Sequence, residues 1–121
     1  MSPAKQPAPL TEPTIQPSTA KEYIERGWIL HARKEYPASE QDFRQAVALD
    51  GQSAEATYGL GLSLKMQKRM QEALQAFERT LNLLNMNVIK DDLIRAAMLR
   101  KLTEAHILLL QGEITQPVQR P

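Results

Sequence analysis

From Ala20 to Leu110 the chain is strongly helical in composition, and its residues form stripes at helical spacing, as in Ile24, Trp28 and His31 or Tyr58, Leu62 and Met66. The main interruptions are Pro37, Asp50-Gly51 and Asn85-Met86-Asn87. Together they divide the segment into five predicted helices, at about 20–34, 37–50, 53–68, 71–85 and 89–111. The first start is the sharpest. Thr19-Ala20-Lys21-Glu22 matches a capping box, in which the hydroxyl accepts from the third helical residue and the carboxylate reaches back. Before it, residues 1–18 hold five of the eight prolines and, after Met1, only Leu10 and Ile15 as large apolar residues. Such a segment cannot offset its ordering entropy by burial, so the reading is a disordered Pro-rich tail over 1–18, a helical domain over 19–112 and a disordered tail over 113–121.

Laid on itself, the chain repeats at an offset of 34 residues: Ala20 falls on Ala54, Gly27 on Gly61, Leu30 on Leu64, Tyr36 on Met70, Ser39 on Ala73, Phe43 on Phe77 and Leu49 on Leu83. Small residues meet small ones and large apolar residues mostly meet large ones. A glycine inside a helix costs about 1 kcal/mol relative to alanine. Two at equivalent places imply a close helix-helix approach that compensates. The period and these residues, with Leu60-Gly61, Ala73, Phe77 and Leu81 in the second unit, resemble the tetratricopeptide repeat family. Arg26 stands where that pattern usually has an apolar residue, and Gly51 and Met86 replace the proline that usually follows the second helix. The resemblance implies an all-α, right-handed superhelical stack of helix-turn-helix units with a concave groove.

After Val88 the register shifts. Ala105, Leu108 and Gly112 resume the pattern if about ten residues are inserted, close to three helical turns, and Pro117 and Pro121 prevent a further helix in the remaining residues. The expected architecture is therefore two full repeats closed by one long C-terminal capping helix. That cap is apolar around more than one stripe, and Leu93, Leu99, Leu109 and Leu110 mark a candidate assembly surface.

Composition narrows the function classes. Fifteen Lys+Arg against fourteen Asp+Glu leave a net charge of +1, which gives no bulk attraction to nucleic acid. Lys65, Lys68, Arg69 and Arg79 form a modest basic group, but Glu72 and Glu78 are interleaved. The absence of cysteine excludes disulfides, thiolate zinc sites and thiol nucleophiles. The longest aliphatic run, Ile107 to Leu110, is too short for a membrane span, and the first twenty residues lack the apolar core of an export signal, so the expectation is a cytoplasmic protein without membrane insertion. His31 and His106 have no ligand-spaced partner on their own helix faces, Asp91 and Asp92 suit a helix N-terminus, and no phosphate loop or nucleophile elbow is present. The chain reads as a non-enzyme with no metal and no cofactor.

The resemblance implies that the first helix of each repeat lines the groove. By position that selects Lys21, Ile24, Trp28, His31 and Ala32, then Glu55, Tyr58, Leu62, Lys65 and Met66. Where chaperone-binding members of the family hold a carboxylate with lysines and asparagines, this chain has Ile24, Trp28 and Gly59, so that clamp is absent. An apolar, aromatic groove suits an extended protein or peptide partner, and the Pro-rich tail is an internal candidate for the same place. The expected function is an adaptor or scaffold that binds a partner through the groove. The alternative is a subunit of a larger assembly or homo-oligomer docking through the C-terminal helix.

Overall fold

The chain enters its first helix through the capping box expected at Thr19: its hydroxyl accepts from the Glu22 amide at 3.1 Å, and the Glu22 carboxylate accepts from the Thr19 and Ser18 amides. The computed structural model describes residues 16–86 and 93–115. Within them lie five helices and no strand: α1 (Ala20–Ala32), α2 (Tyr36–Leu49), α3 (Ala54–Met66), α4 (Met70–Met86) and α5 (Leu93–Thr115). Each helix packs against the next, and α1 also touches α3. The protein is all-α, with the first four helices within one or two residues of their expected bounds.

Two differences concern the tails. Ser18 is part of the first cap, since its amide and hydroxyl both donate to Glu22. At the other end, residues 113–115 continue α5, because Gly112 does not adopt the left-handed conformation that would stop a helix there. The Pro-rich tail before Gln16, the start of the fifth helix near 89 and the tail after Thr115 lie outside the described residues.

The turns after α1 and α3 are built alike. Lys34 and Lys68, 34 residues apart in the sequence, have φ of 63° and 64°. The Glu35 amide donates to Leu30 and the Lys34 amide to His31; one repeat later, Arg69 donates to Leu64 and Lys68 to Lys65. This is the paired closure of a Schellman motif, which satisfies carbonyls that a helix end leaves open. Ser53 caps α3, its hydroxyl accepting from the Ala56 amide at 3.1 Å.

The core sits between helices on Gly27 and Gly61, which the sequence singled out, and on Gly59, which it did not. Phe43 is fully buried and its ring fills the space a side chain would need at both Gly27 and Gly59, while Phe77 does the same at Gly61, where a Cβ would lie 2.7 Å from the ring. Absent side chains on α1 and α3 thus seat aromatic rings from α2 and α4. Buried hydroxyls are paired across the same interfaces: Ser39 bonds Ser63 at 2.7 Å and the Gly27 carbonyl at 3.0 Å, and Thr80 bonds Thr57 at 2.8 Å. Each group thereby avoids the cost of an unsatisfied buried polar atom.

Candidate functional site

Because α5 packs on α4 through Thr103 and Leu110, its amino-terminal half stands across from α1 and α3 rather than upon them. The result is a cleft of about 330 Å³ walled by Trp28, Glu55 and Tyr58 on one side and by Ile94, Arg95, Met98, Leu99 and Leu102 on the other. Its aromatic wall is held in place. Trp28 packs edge-on against Phe43 at 4.8 Å between ring centres, and its indole N–H donates to Glu55 at 3.0 Å. Glu55 also accepts from Arg95 across the cleft at 3.1 Å. The lining is mostly hydrocarbon with one paired charge at its edge.

One turn beyond Leu102 on α5, His106 meets Tyr58, Phe77 and Lys65. Its ring stacks on Phe77 at 4.8 Å with the planes 5° apart, its Nδ1 lies 3.0 Å from Lys65 Nζ, and its Nε2 lies 3.4 Å from the Tyr58 hydroxyl. An ammonium only donates, so Nδ1 accepts and the ring proton of the neutral form sits on Nε2, directed at Tyr58. Beyond His106 a second, smaller depression of about 260 Å³ is lined by Lys65, Met66, Lys68, Met70, Leu109, Leu110 and Glu113.

The residues expected to line one continuous groove are therefore divided. Trp28, Glu55 and Tyr58 wall the cleft, while Lys65 and Met66 belong to the second depression. Ile24 and Leu62 lean into the core, Lys21 and Ala32 are exposed, and His31 is edge-on to Trp28 and Tyr36; none of the five lines either depression. Of the candidate assembly residues, Leu93 and Leu109 are exposed and Leu99 lies in the cleft wall. Leu110 is a correction: at 1% exposure it is part of the core, because α5 turns this side chain toward Phe77 and Leu64.

Ile94, Met98 and Leu102 were not among the expected groove residues, although a signal for part of this wall exists. With ten residues inserted, Leu99 and Leu102 fall on Glu55 and Tyr58, so the long helix repeats the inner-wall positions of α3. Arg26, which departs from the repeat pattern, makes a two-bond ion pair with the buried Asp42 of α2 at 2.7 and 2.9 Å. The basic group near the second turn is dispersed among partners: Arg69 bonds Glu40 and Glu72, Lys65 meets His106, and Arg79 donates to the Gly51 carbonyl. Burial alone raises the Glu40 carboxyl, but the Gln67 and Arg44 hydrogen bonds and the Arg44 and Arg69 charges outweigh it and hold it below its ordinary value of 4.5.

Both histidines are pushed below their ordinary value of 6.5, His106 by burial and then by the Lys65 charge, His31 by burial alone. The buried Nε2 of His31 has no hydrogen-bond partner among the described residues. A histidine lowered in the folded state binds its proton more readily when unfolded, so the contribution is fully present above about pH 6.5 and declines as pH falls below it. Urea unfolding should show lower stability at pH 5.5 than at 7.5. His106→Gln should flatten that difference, and an unchanged pH profile would contradict the assignment.

Among the described residues, no group of three or more His, Asp or Glu side chains is placed to hold a metal ion, and no helix is long and apolar enough to cross a membrane. No protein-family model matches the chain, and no curated protein does.

Proposed function

We propose that this protein is a tetratricopeptide-type adaptor, a right-handed stack of two helix pairs and a closing helix, that holds a segment of another protein in the cleft between α1, α3 and α5. The reading rests chiefly on one observation: an apolar cleft whose Trp28 and Tyr58 wall is braced from behind by Phe43 and Phe77 and faces four further apolar side chains on α5. Rigid aromatic rings in a partly closed cleft lose little entropy on binding and contribute large contact area, which makes them effective anchors. A volume near 330 Å³ is at the lower end of ligand sites. It fits one or two large apolar side chains of a partner segment, with Glu55 and Arg95 orienting its polar backbone at the rim. The role is non-catalytic holding.

Leu102 offers a clean test because it lines the cleft and is half exposed, so a charge there disturbs little of the core. Affinity capture with the wild type beside Leu102→Glu should recover partners whose yield falls by about tenfold or more in the variant. Equal recovery by two equally folded proteins would remove the cleft from the binding surface.

A further inference from the structure

On α5, one side does what the first helices of the earlier pairs do, and the opposite side is left uncovered among the described residues. A shift of 44 residues, the period of 34 plus the ten inserted, places Thr103 on Gly59, Ala105 on Gly61 and Leu108 on Leu64. Gly59 faces the ring of the preceding α2, and Thr103 is likewise fully buried on the side of α5 that packs toward α4. Gly61 lies under Phe77 of α4 with Leu64 buried one turn on, as Gly27 lies under Phe43 of α2 with Leu30 buried. Their counterparts on α5 have no such cover among the described residues: Ala105 is exposed and Leu108 is 71% exposed.

At about 100° per residue, the side of α5 facing away from Thr103 carries Ile94, Met98, Lys101, Ala105, Leu108 and Gly112. Ile94 and Met98 are 77% and 61% exposed. These six positions are symmetric about residue 103, since 94 and 112, 98 and 108, and 101 and 105 are each equidistant from it. An antiparallel copy of the helix therefore meets them in complementary pairs: Ile94 against the small Gly112, Met98 against Leu108, and the Lys101 stem across Ala105. Beside that last pair the Lys101 ammonium comes within reach of Glu104 on the other chain, and the reverse contact forms by symmetry. Size and charge thus complement each other when the face meets itself, as a two-fold interface requires.

We infer that this face of α5 binds the same face of a second copy, antiparallel and centred on residue 103, so that each chain supplies the helix that covers the other. The face shares Ile94 and Met98 with the α5 wall of the cleft but no residue of the Trp28 wall, and the inference does not depend on the adaptor reading. A six-position helix face buries less than the roughly 800 Å² per partner of standard interfaces, so a dissociation constant on the order of 10 µM is expected.

Sedimentation of the full chain from about 5 to about 500 µM should show a monomer-dimer equilibrium. Leu108→Glu should weaken it by at least about tenfold without loss of helicity, whereas Leu102→Glu, on the cleft side, should leave it unchanged. Since the chain has no native cysteine, the register can be read directly. An equimolar mixture of Met98→Cys and Leu108→Cys chains should form the mixed disulfide faster than either variant forms its own. A monomer throughout the concentration range would overturn the inference, as would equal association of Leu108→Glu or faster pairing of Met98→Cys with itself.

Discussion

Phe43→Ala is expected to lower the unfolding free energy by about 3–5 kcal/mol, the range for removing a fully buried aromatic ring. Phe43 is buried among α1, α2 and α3, and its ring is bounded by Gly27 on one side and Gly59 on the other. Nothing small can refill the space, because both neighbours lack side chains. The same geometry makes Gly59→Ala destabilising by about 1–3 kcal/mol in the native background, since the new methyl meets a ring that Gly27 prevents from retreating. With Phe43→Ala already in place the sign should change. The methyl then enters a cavity, and alanine is favoured over glycine in a helix by about 1 kcal/mol. Urea unfolding of the two single variants and the double variant would measure the coupling. Strict additivity would mean that the ring and the glycine are not in contact.

Leu110→Ala should cost about 2–4 kcal/mol, whereas Leu108→Ala, two residues earlier on the same helix, should change stability by less than about 0.5 kcal/mol in dilute solution. The difference follows from 1% against 71% exposure and from the membership of Leu110 in the core with Phe77 and Leu64. The pair of measurements tests the rotation of α5 about its own axis, on which both the cleft wall and the outer face depend. If Leu108 proved the costly one, Met98 and Leu102 would be displaced from the cleft and the proposed two-fold face would be lost. Thermal unfolding at low protein concentration is the appropriate readout, because association would otherwise add to the apparent stability of the wild type.

These expectations connect the repeat to the proposed activity. The glycines admit Phe43 and Phe77, the rings support Trp28 and Tyr58 from behind, and the two aromatic side chains wall the cleft. Substitutions at Phe43 should therefore impair both folding and binding. Leu102→Glu should affect binding alone, and the two classes are separable by unfolding curves.

Much of the helical framework was legible in the sequence because its causes are local or periodic. The Thr19 cap needs only four consecutive residues, and the paired glycines and phenylalanines at an offset of 34 recur in phase. Helix bounds followed from breakers and caps. The Arg26–Asp42 pair was not legible, since the residues are 16 apart and meet only when α1 lies on α2. Nor was the division of the groove, which depends on where α5 places His106 between Tyr58 and Lys65.

By itself, then, the sequence determined that the chain is helical, where its first four helices lie to within one or two residues, and that Gly27 and Gly61 mark close helix contacts, all consequences of period and local hydrogen bonding. Only the tertiary structure decided which face of α5 is inside. Apolar and charged residues are both spread around that helix, so no stripe in its sequence favours one rotation over another. The choice between burying Leu110 and burying Leu108 is made by the shape of the α3–α4 surface that receives it.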